Sequence, residues 1–295
     1  HYGRYLLICS SRPGTQAANL QGIWNKEMVP PWFCDYTINI NTQMNYWPAG
    51  PCNLDEMAQP LTVMCREMLQ DGKKTAETYF GCEGACAFDN VDVWSMTSRS
   101  FWKSMWNFLR FGYAWLCRNL YDQYLFSQDK EYLKEIYPVL KENVRFCLQA
   151  VRDTEKGYVL SPATSPENEF LCEGEKVSVA AYSENCNAII RNLFKDYLEC
   201  CRELEIDDEL KAEAGKVLSN MAPVALDSKG RIMEWNEEVE EADVHHRHLS
   251  HLYELHPGRG ILPDTPELMD GARKSLVSRG DDGTGWSQCH RRHIT

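Results

Sequence analysis

The sequence lacks a start methionine and any long apolar run. It begins at His1, and the apolar stretch near its N-terminus covers only four residues, Leu6 to Cys9. A secretory signal needs an apolar core of about 7–15 residues and a transmembrane helix needs roughly 20, so neither is predicted. Because the chain starts without methionine and stops in the polar stretch QCHRRHIT, we interpret it as an internal piece of a longer protein. That interpretation leaves an upstream signal peptide open.

Positive charge is also scarce. The 31 Lys and Arg residues face 43 Asp and Glu residues, for a net charge of −12. This balance argues against a nucleic acid or an anionic membrane as the main partner. It names no substrate, and the oligomeric state stays unknown.

Metal-binding patterns are missing although cysteine is plentiful. The 13 cysteines have no regular spacing, and Cys82 and Cys86 lack a second pair or His partners, which a structural zinc site requires. No His-Glu-x-x-His motif occurs. We therefore expect scattered, reduced thiols, with no metal and no cofactor. Such thiols favour a reducing compartment, such as the cytoplasm.

Strand-like alternation is scarce, whereas helical periodicity is common. From Ser100 to about Arg152, apolar residues recur at three- and four-residue steps. Within and beyond this stretch we predict helices over 130–138, 139–151, 184–204, 207–221 and 263–277. With 295 residues, 43% of them apolar, the chain can bury a sizeable core of one or two domains.

Long, individually distinct loops separate these helices, over 12–51, 82–98, 161–176 and 234–260. Helix pairs joined by loops form either a binding α-solenoid or a closed α/α toroid. Aromatic residues beside amides, His and carboxylates in the loops favour an enzyme site. We interpret the acidic run EWNEEVEEADV (234–244) as a solvated face.

The stretch SPATSPENEF (161–170) contains Glu167 directly after a proline. Two interpretations are open. Ser165-Pro166-Glu167 is typical of a helix start, with Pro at the first position. Alternatively, a carboxyl group buried among Pro, Ser and Phe has a raised pKa and can act as a general acid.

The stretch HHRHLSHLYELHPG (245–258) holds five of the eight His residues. The spacing of His248 and His251 raises a metal site as one interpretation, but no third ligand is evident. Directional donors for a hydroxyl-rich ligand, supplied by Arg247 and His248, are the favoured interpretation. Ser250 and His251 would support them, and capping of a helix by Ser250 stays open.

Two further stretches combine amides, acids and aromatics. In FDNVDVWSM (88–96), alternation would place Asn90, Asp92 and Trp94 on one face of an extended segment, suited to a sugar. A capping role for Asp92 is the alternative.

In DYTININTQMNYW (35–47), the same alternation would align Thr37, Asn39 and Asn41. Buried amides need partners, which are either backbone groups, as in a structural ladder, or a ligand or ordered water.

Seven stretches together resemble glycoside hydrolase family 95, the inverting α-L-fucosidases. They are HYGRYLLICSSRPGTQAANLQGIWN (1–25), PPWFCDYTININTQMNYWPAGPCNL (30–54), DNVDVW (89–94), YLFSQDKEYLKEIYP (124–138), SPATSPENEF (161–170), HRHLSHLYELHPG (246–258) and GTGWS (283–287). They follow the family's order along essentially the whole chain.

The resemblance implies an all-α fold, an (α/α)6 toroid, with residues 1–295 as a partial catalytic domain and the family's flanking β-rich domains absent. The family cleaves terminal α-L-fucosyl linkages, often α-1,2, with inversion and without a metal. A fucosylated oligosaccharide or glycan is therefore the expected partner. The family's general acid matches Glu167, and its water-positioning amides match Asn39 and Asn41. Its sugar-binding residues match Trp94, Arg247 and His248.

Two departures from the family pattern matter. In the family, an aspartate makes the water-positioning amides basic enough for their role. This aspartate belongs to a later IDGNFGG-type motif, and residues 1–295 contain no such motif. We therefore expect the toroid to be incomplete at its C-terminal end, with Asp92 and Asp243 the only nearby substitutes. Second, Thr37 stands where some family members carry His, which leaves room for the CH2OH group of L-galactose.

These considerations predict an α-L-fucosidase with Glu167 as acid and Asn39 and Asn41 as holders of the water. Thr37, Asn90, Asp92, Trp94, Arg247 and His248 are expected to bind the sugar. The alternatives are an α-L-galactosidase of the same fold, a non-catalytic glycan-binding helical module, and an inactive fragment.

Overall fold

The computed structural model describes residues 1–99 and 103–280, and within these ranges the chain is mostly helical. The helices of the described residues are α1 (Tyr2–Ser10), α2 (Asn41–Tyr46), α3 (Gln59–Phe80), α4 (Ser104–Asn107), α5 (Gly112–Ser127), α6 (Lys130–Ala150), α7 (Glu184–Glu203), α8 (Lys211–Ser219) and α9 (Pro266–Arg279). The strands are β1 (Tyr36–Thr37), β2 (Asn90–Val91), β3 (Val151–Thr154), β4 (Gly157–Leu160), β5 (Phe170–Cys172), β6 (Glu175–Val177) and β7 (Glu240–Glu241). The expectation of an all-α chain is thus corrected to a mostly helical one with small antiparallel sheets.

The helix predictions are confirmed in part. Helices α7 and α9 lie where predicted, with Pro266 in the first turn of α9, and α8 is shorter than predicted. The division into two helices at Pro138 is wrong, because α6 continues through this residue. Leu133, Ile136 and Val144 form part of a fully buried stripe along α6, and burial of that stripe offsets the roughly 3 kcal/mol cost of an interior proline.

The described residues divide into two compact units. The first comprises 1–99, 110–149 and 193–216, and the second comprises 103–109, 150–192 and 217–280. Residues 100–102, at the start of the predicted helical stretch, lie outside the described part of the chain. Among the helices within the described ranges, none combines the length and the apolarity needed to cross a membrane.

In the first unit, α5 packs against α2 and the turn that precedes it. The amide of Gln43, fully buried, donates to the carbonyls of Ile38 (2.6 Å) and Gly112 (3.3 Å). Asn119 on α5 donates back to the carbonyl of Gln43 at 2.9 Å. A Cβ at Gly112 would lie 2.7 Å from the Ile38 carbonyl oxygen, so the absence of a side chain lets these segments approach closely.

In the second unit, β5 is the central strand of a three-stranded antiparallel sheet in the order β6-β5-β7. Phe170 pairs with Glu241, and Leu171 pairs with Glu240. A separate apolar core combines Ile232, which precedes β7, with Leu252 and Ile261, which follow it, and with Ala272 and Leu276 of α9. The sheet and this core position the loops that carry the candidate acid.

Candidate active site

Glu167 lies in a tight turn. The N–H of Asn168 donates to the Ser165 carbonyl at 2.8 Å, so Pro166 and Glu167 occupy the two central positions. The helix-start interpretation is therefore wrong, because the turn leads into β5. The turn presents the Glu167 side chain, which is 20% exposed.

The pairing of β5 with β7 brings the His-rich segment to this turn. In an antiparallel pair, residues that precede one strand lie beside residues that follow the other. The ladder continues in this way, since the N–H of Ala242 donates to the carbonyl of Glu169 at 3.0 Å. Residues 165–169 and 242–248 therefore run side by side although about 80 positions separate them along the chain.

Arg247 and His248 both approach the same oxygen of Glu167. Nη2 of Arg247 donates to Oε2, and Nε2 of His248 lies 3.8 Å from Oε2. The His248 side chain is only 9% exposed and that of Arg247 is 37% exposed. The predicted acid and the predicted Arg-His pair thus form one cluster, in which the guanidinium of Arg247 donates to the carboxyl group of Glu167.

A cavity of about 330 Å³ opens beside this cluster, at the low end of the size range of small-molecule sites. Its lining combines carboxylates, cations and an aromatic ring: Met105, Trp106, Glu167, Asn168, Glu169, Lys176, Ala242, Asp243, His246 and Arg247. Asp243, considered above as a substitute carboxylate, accepts from the N–H of His245 at 3.0 Å. Glu167 and Arg247 face a space large enough for a ligand.

The buried carboxylate of Glu234 accepts hydrogen bonds from both ends of the turn that carries Glu167. Ser165 Oγ donates to its Oε1 at 2.7 Å, and Asn168 Nδ2 donates to its Oε2 at 3.1 Å. Arg279 Nη2 donates to the same Oε2 at 2.6 Å. The interpretation of 234–244 as a solvated face is wrong at its start, because Glu234 and Trp235 are buried.

The charge of Glu234 is held in place by its surroundings. Burial alone would raise its pKa, but the charges of His251 and Arg279 and the hydrogen bonds from Ser165 and Asn168 lower it to about 2. Burial lowers the pKa of His251 to about 4, so His251 is neutral at neutral pH and Arg279 supplies the positive charge. Glu234 is therefore ionised at neutral pH.

His248 and His251 lie beside two different carboxylates. His248 approaches Glu167, whereas His251 Nδ1 lies 3.5 Å from Glu234 Oε2. Burial also lowers the pKa of His246, to about 4. Over residues 1–99 and 103–280, no group of three or more His, Cys, Asp or Glu side chains is arranged to hold a metal ion.

Ser250 bonds the acid turn directly. Its Oγ donates to the Pro166 carbonyl, and its own carbonyl accepts from Asn185 Nδ2 at 3.0 Å. Ser250 thus acts on the backbone beside Glu167, and its side chain does not cap the short 3-10 segment that it begins.

In the first unit, the amide-rich stretch is not extended. Thr37 pairs with Asn90 in the two-residue β1-β2 ladder, then Asn39 lies in a turn and Asn41 begins α2. The prediction that Thr37, Asn39 and Asn41 share one face of a strand is therefore wrong. Asn39 is 5% exposed and Asn41 is half-buried.

The other amides of this stretch bond to the backbone. Gln43 links the turn to α5 as described, and Asn45 Nδ2 donates to the Asn19 carbonyl at 3.3 Å. The concentration of amides thus has a structural part, which fixes the geometry of the segment around Asn39 and Asn41.

Asp92 and Trp94 lie past the end of β2, in a turn. Oδ1 of Asp92 accepts from the N–H groups of Trp94 and Met96, both at 2.9 Å, so Asp92 caps this turn as the alternative interpretation has it. Trp94 is 86% exposed. The predicted common face of Asn90, Asp92 and Trp94 is wrong, because the strand ends at Val91.

The predicted site residues thus fall into two groups. Thr37, Asn39, Asn41, Asn90, Asp92 and Trp94 belong to the first unit, and Glu167, Arg247 and His248 belong to the second. Their convergence on one sugar stays a prediction. The GTGWS stretch at 283–287 lies outside the described residues.

Comparison with known proteins identifies the family. The profile of the glycosyl hydrolase family 95 catalytic domain matches residues 1–295. Alpha-L-fucosidase 2 of Arabidopsis thaliana is 39% identical over 291 residues, which cover 97% of this chain and 34% of the relative. Probable alpha-fucosidase A of Aspergillus niger is 32% identical over 306 residues, covering 98% and 38%.

A second probable alpha-fucosidase A, from Aspergillus oryzae, is 23% identical over 308 residues, covering 98% of this chain and 33% of the relative. The chain therefore spans about a third of the length of the curated relatives it matches. With a family profile matched from the first residue to the last, the chain belongs to glycosyl hydrolase family 95.

Proposed function

We propose that this chain is part of the catalytic domain of an α-L-fucosidase, with the (α/α)6 toroid of its family, that hydrolyses terminal α-L-fucosyl linkages of glycans with inversion. The names of the relatives supply the substrate class. The observation that carries the mechanism is the convergence of Arg247 and His248 on Oε2 of Glu167 beside a ligand-sized cavity. An α-1,2 linkage is the expected one.

Glu167 would supply the proton to the leaving group. In the proposed step, its carboxyl proton moves to the glycosidic oxygen while the bond from that oxygen to the sugar C1 breaks. Proton donation requires the acid form of the carboxyl group, whereas a hydrogen bond from a guanidinium generally stabilises the carboxylate form. We propose that a sugar hydroxyl accepts from Arg247 when the substrate binds, which frees the carboxyl group for protonation.

Asn39 and Asn41 would hold the attacking water. Inversion needs this water on the face of C1 opposite the acid, and the usual scheme places roughly 6.5–9.5 Å between its paired carboxyl groups to make room for it. An amide is too weakly basic to take the water's proton alone, so a carboxylate behind the amides must polarise them and accept it. The burial of Asn39 and the bonding of Gln43 support a fixed position for this segment.

The sugar at the site is expected to be L-fucose, with L-galactose as the second candidate. Thr37, half-buried and paired with Asn90, is smaller than the His of some family members and adds a hydroxyl group. Sites discriminate weakly against one added hydroxyl group unless polar partners are built for it. Hydrolysis of an α-L-galactoside is therefore the alternative activity.

If Glu167 is the general acid, its replacement should lower the rate of hydrolysis by an amount that depends on the leaving group. We expect Glu167→Gln in the intact protein to lower kcat/KM for 2′-fucosyllactose by about 10²–10⁴-fold. The loss on α-L-fucosyl fluoride should be much smaller, because fluoride departs without protonation. Glu175→Gln, which removes a carboxylate from the exposed end of β6, is the matched control and should leave both rates unchanged.

Wild-type rates for Glu167→Gln on 2′-fucosyllactose would remove Glu167 from the acid role. Equal losses on both substrates would assign it to sugar binding.

A further inference from the structure

We infer that Glu234 is a positioning residue for the reaction, because its buried carboxylate fixes both ends of the turn that carries Glu167. This inference rests on the proposed role of Glu167 as the acid. Glu234 is not among the residues that line the cavity beside Arg247, and it bonds Ser165 and Asn168, on either side of the Pro166-Glu167 pair, so it would act through the turn.

The geometry is that of a two-point clamp. Ser165 precedes the Pro166-Glu167 pair and Asn168 follows it, and each donates to a different oxygen of Glu234, at 2.7 and 3.1 Å. The two central residues of the turn are therefore held between two anchored neighbours. Ser250 adds a third bond at the Pro166 carbonyl.

Glu234 is itself fixed from two sides. Its carboxylate accepts from Arg279 Nη2 at 2.6 Å, and its carbonyl accepts from the N–H of Glu184, at the start of α7, at 3.1 Å. The neighbouring Trp235 packs on Phe170, the first residue of β5, with ring centroids 4.8 Å apart. The clamp is thus part of a rigid frame around the turn.

Charge makes this clamp strong. Hydrogen bonds to an ionised carboxylate are roughly twice as strong as neutral ones, and Glu234 is 8% exposed, so water competes little for its oxygens. A neutral amide at this position would present an N–H group to one of three donors and would lose one or more of the bonds. The turn would then shift or loosen.

A displaced acid slows only the reactions that need its proton. Misplacement of a catalytic group by about 1 Å can cost on the order of 10²-fold in rate. Outer residues that orient metal ligands typically contribute 10–100-fold, and we expect a residue that orients a catalytic acid to contribute on the same scale. Cleavage of an unactivated fucoside should therefore be sensitive to Glu234, whereas cleavage of a fucosyl fluoride should not.

The test compares Glu234→Gln and Ser165→Ala on both substrates in the intact protein. We expect Glu234→Gln to lower kcat/KM for 2′-fucosyllactose by about 10²-fold and Ser165→Ala by about 10-fold. Activity on α-L-fucosyl fluoride should fall by less than about threefold, and the alkaline limb of the pH profile, where the general acid ionises, should move only for 2′-fucosyllactose. Ser165→Ala keeps the test valid if Glu234→Gln does not fold.

Glu184→Gln is the matched control, because it replaces another buried carboxyl group of the same unit that bonds an arginine but not the turn. It should change the two rates in parallel or not at all. Parallel losses on both substrates in Glu234→Gln and Ser165→Ala, or no loss in either, would overturn the positioning role. A Glu167→Gln variant with wild-type activity would instead overturn the proposed acid, so the two failures are distinguishable.

Discussion

Arg191, Glu184 and Glu254 form a buried network of ionisable side chains. From this network we predict how the stability of the protein depends on pH. Arg191 Nη1 bonds Glu184 Oε1 at 3.1 Å and Glu254 Oε1 at 2.5 Å. Both acids are at most 5% exposed. Burial raises the pKa of Glu184 to about 7, with a further increase from the charge of Glu254, against the lowering effect of Arg191.

The size and sign of the contribution of Glu184 to the free energy of unfolding follow from the linkage between proton binding and folding. A folded-state pKa of about 7 against an ordinary value of 4.5 corresponds to about 3 kcal/mol, at about 1.4 kcal/mol per pH unit. Because the folded protein holds this proton more tightly than the unfolded chain, the contribution is fully present below about pH 4.5. It is lost as pH rises from there to about 7.

The assay is urea denaturation of wild type and Glu184→Gln between pH 4.5 and 8, followed by tryptophan fluorescence. Glutamine resembles the protonated acid, so the variant should lose this component of the slope. Relative to wild type, the variant should gain up to about 3 kcal/mol as pH rises. The exposed control Glu175→Gln should keep the wild-type slope.

A Glu184→Gln variant whose free energy of unfolding runs parallel to that of wild type across this range would refute the reasoning. It would mean that Glu184 is ionised in the folded protein throughout, with Arg191 dominating over burial.

Two further predictions concern the first unit. Gly112→Ala should destabilise the protein by about 1–3 kcal/mol, because the new Cβ would lie 2.7 Å from the Ile38 carbonyl oxygen. It should also lower activity by displacing Asn39 and Asn41, as thermal unfolding and hydrolysis of 2′-fucosyllactose would reveal. Thr37→His should lower the ratio of α-L-galactoside to α-L-fucoside hydrolysis by roughly 10-fold on paired nitrophenyl glycosides, and an unchanged ratio would exclude this residue from specificity.

Helices with clear apolar periodicity or a typical start residue could be predicted from the sequence. A helix in which polar residues interrupt the apolar periodicity could not. Helix α7 combines strong apolar periodicity with Glu184 in its first turn, and α9 has Pro266 at its start. Helix α3 was missed, although Leu61, Met64, Cys65 and Met68 are buried at helical spacing. Its polar second half dilutes the pattern.

The break placed at Pro138 shows the limit of a local rule. Proline disfavours a helix interior, but the buried stripe of α6 extends on both sides of it. Tertiary packing decides the outcome, and no single window of sequence contains that information.

The acid cluster could be predicted in membership but not in arrangement. Glu167, Arg247 and His248 were identified from their motifs, whereas their proximity depends on a two-residue pairing of β5 with β7, too short for a sequence signal. Glu234 was missed because the acidic residues that follow it suggest solvent exposure. Its neighbours Ile232 and Trp235, both buried, are the signal that points to a buried carboxylate.

The stereochemical outcome of hydrolysis tests the central claim most directly. The intact protein would be incubated with 2′-fucosyllactose, and the anomeric proton of the released sugar followed by NMR from the first turnover, before mutarotation. Initial release of β-L-fucose is predicted, since water attacks C1 opposite the bond that Glu167 protonates. Initial release of α-L-fucose would contradict the proposed mechanism, and the absence of any released fucose would contradict the proposed substrate.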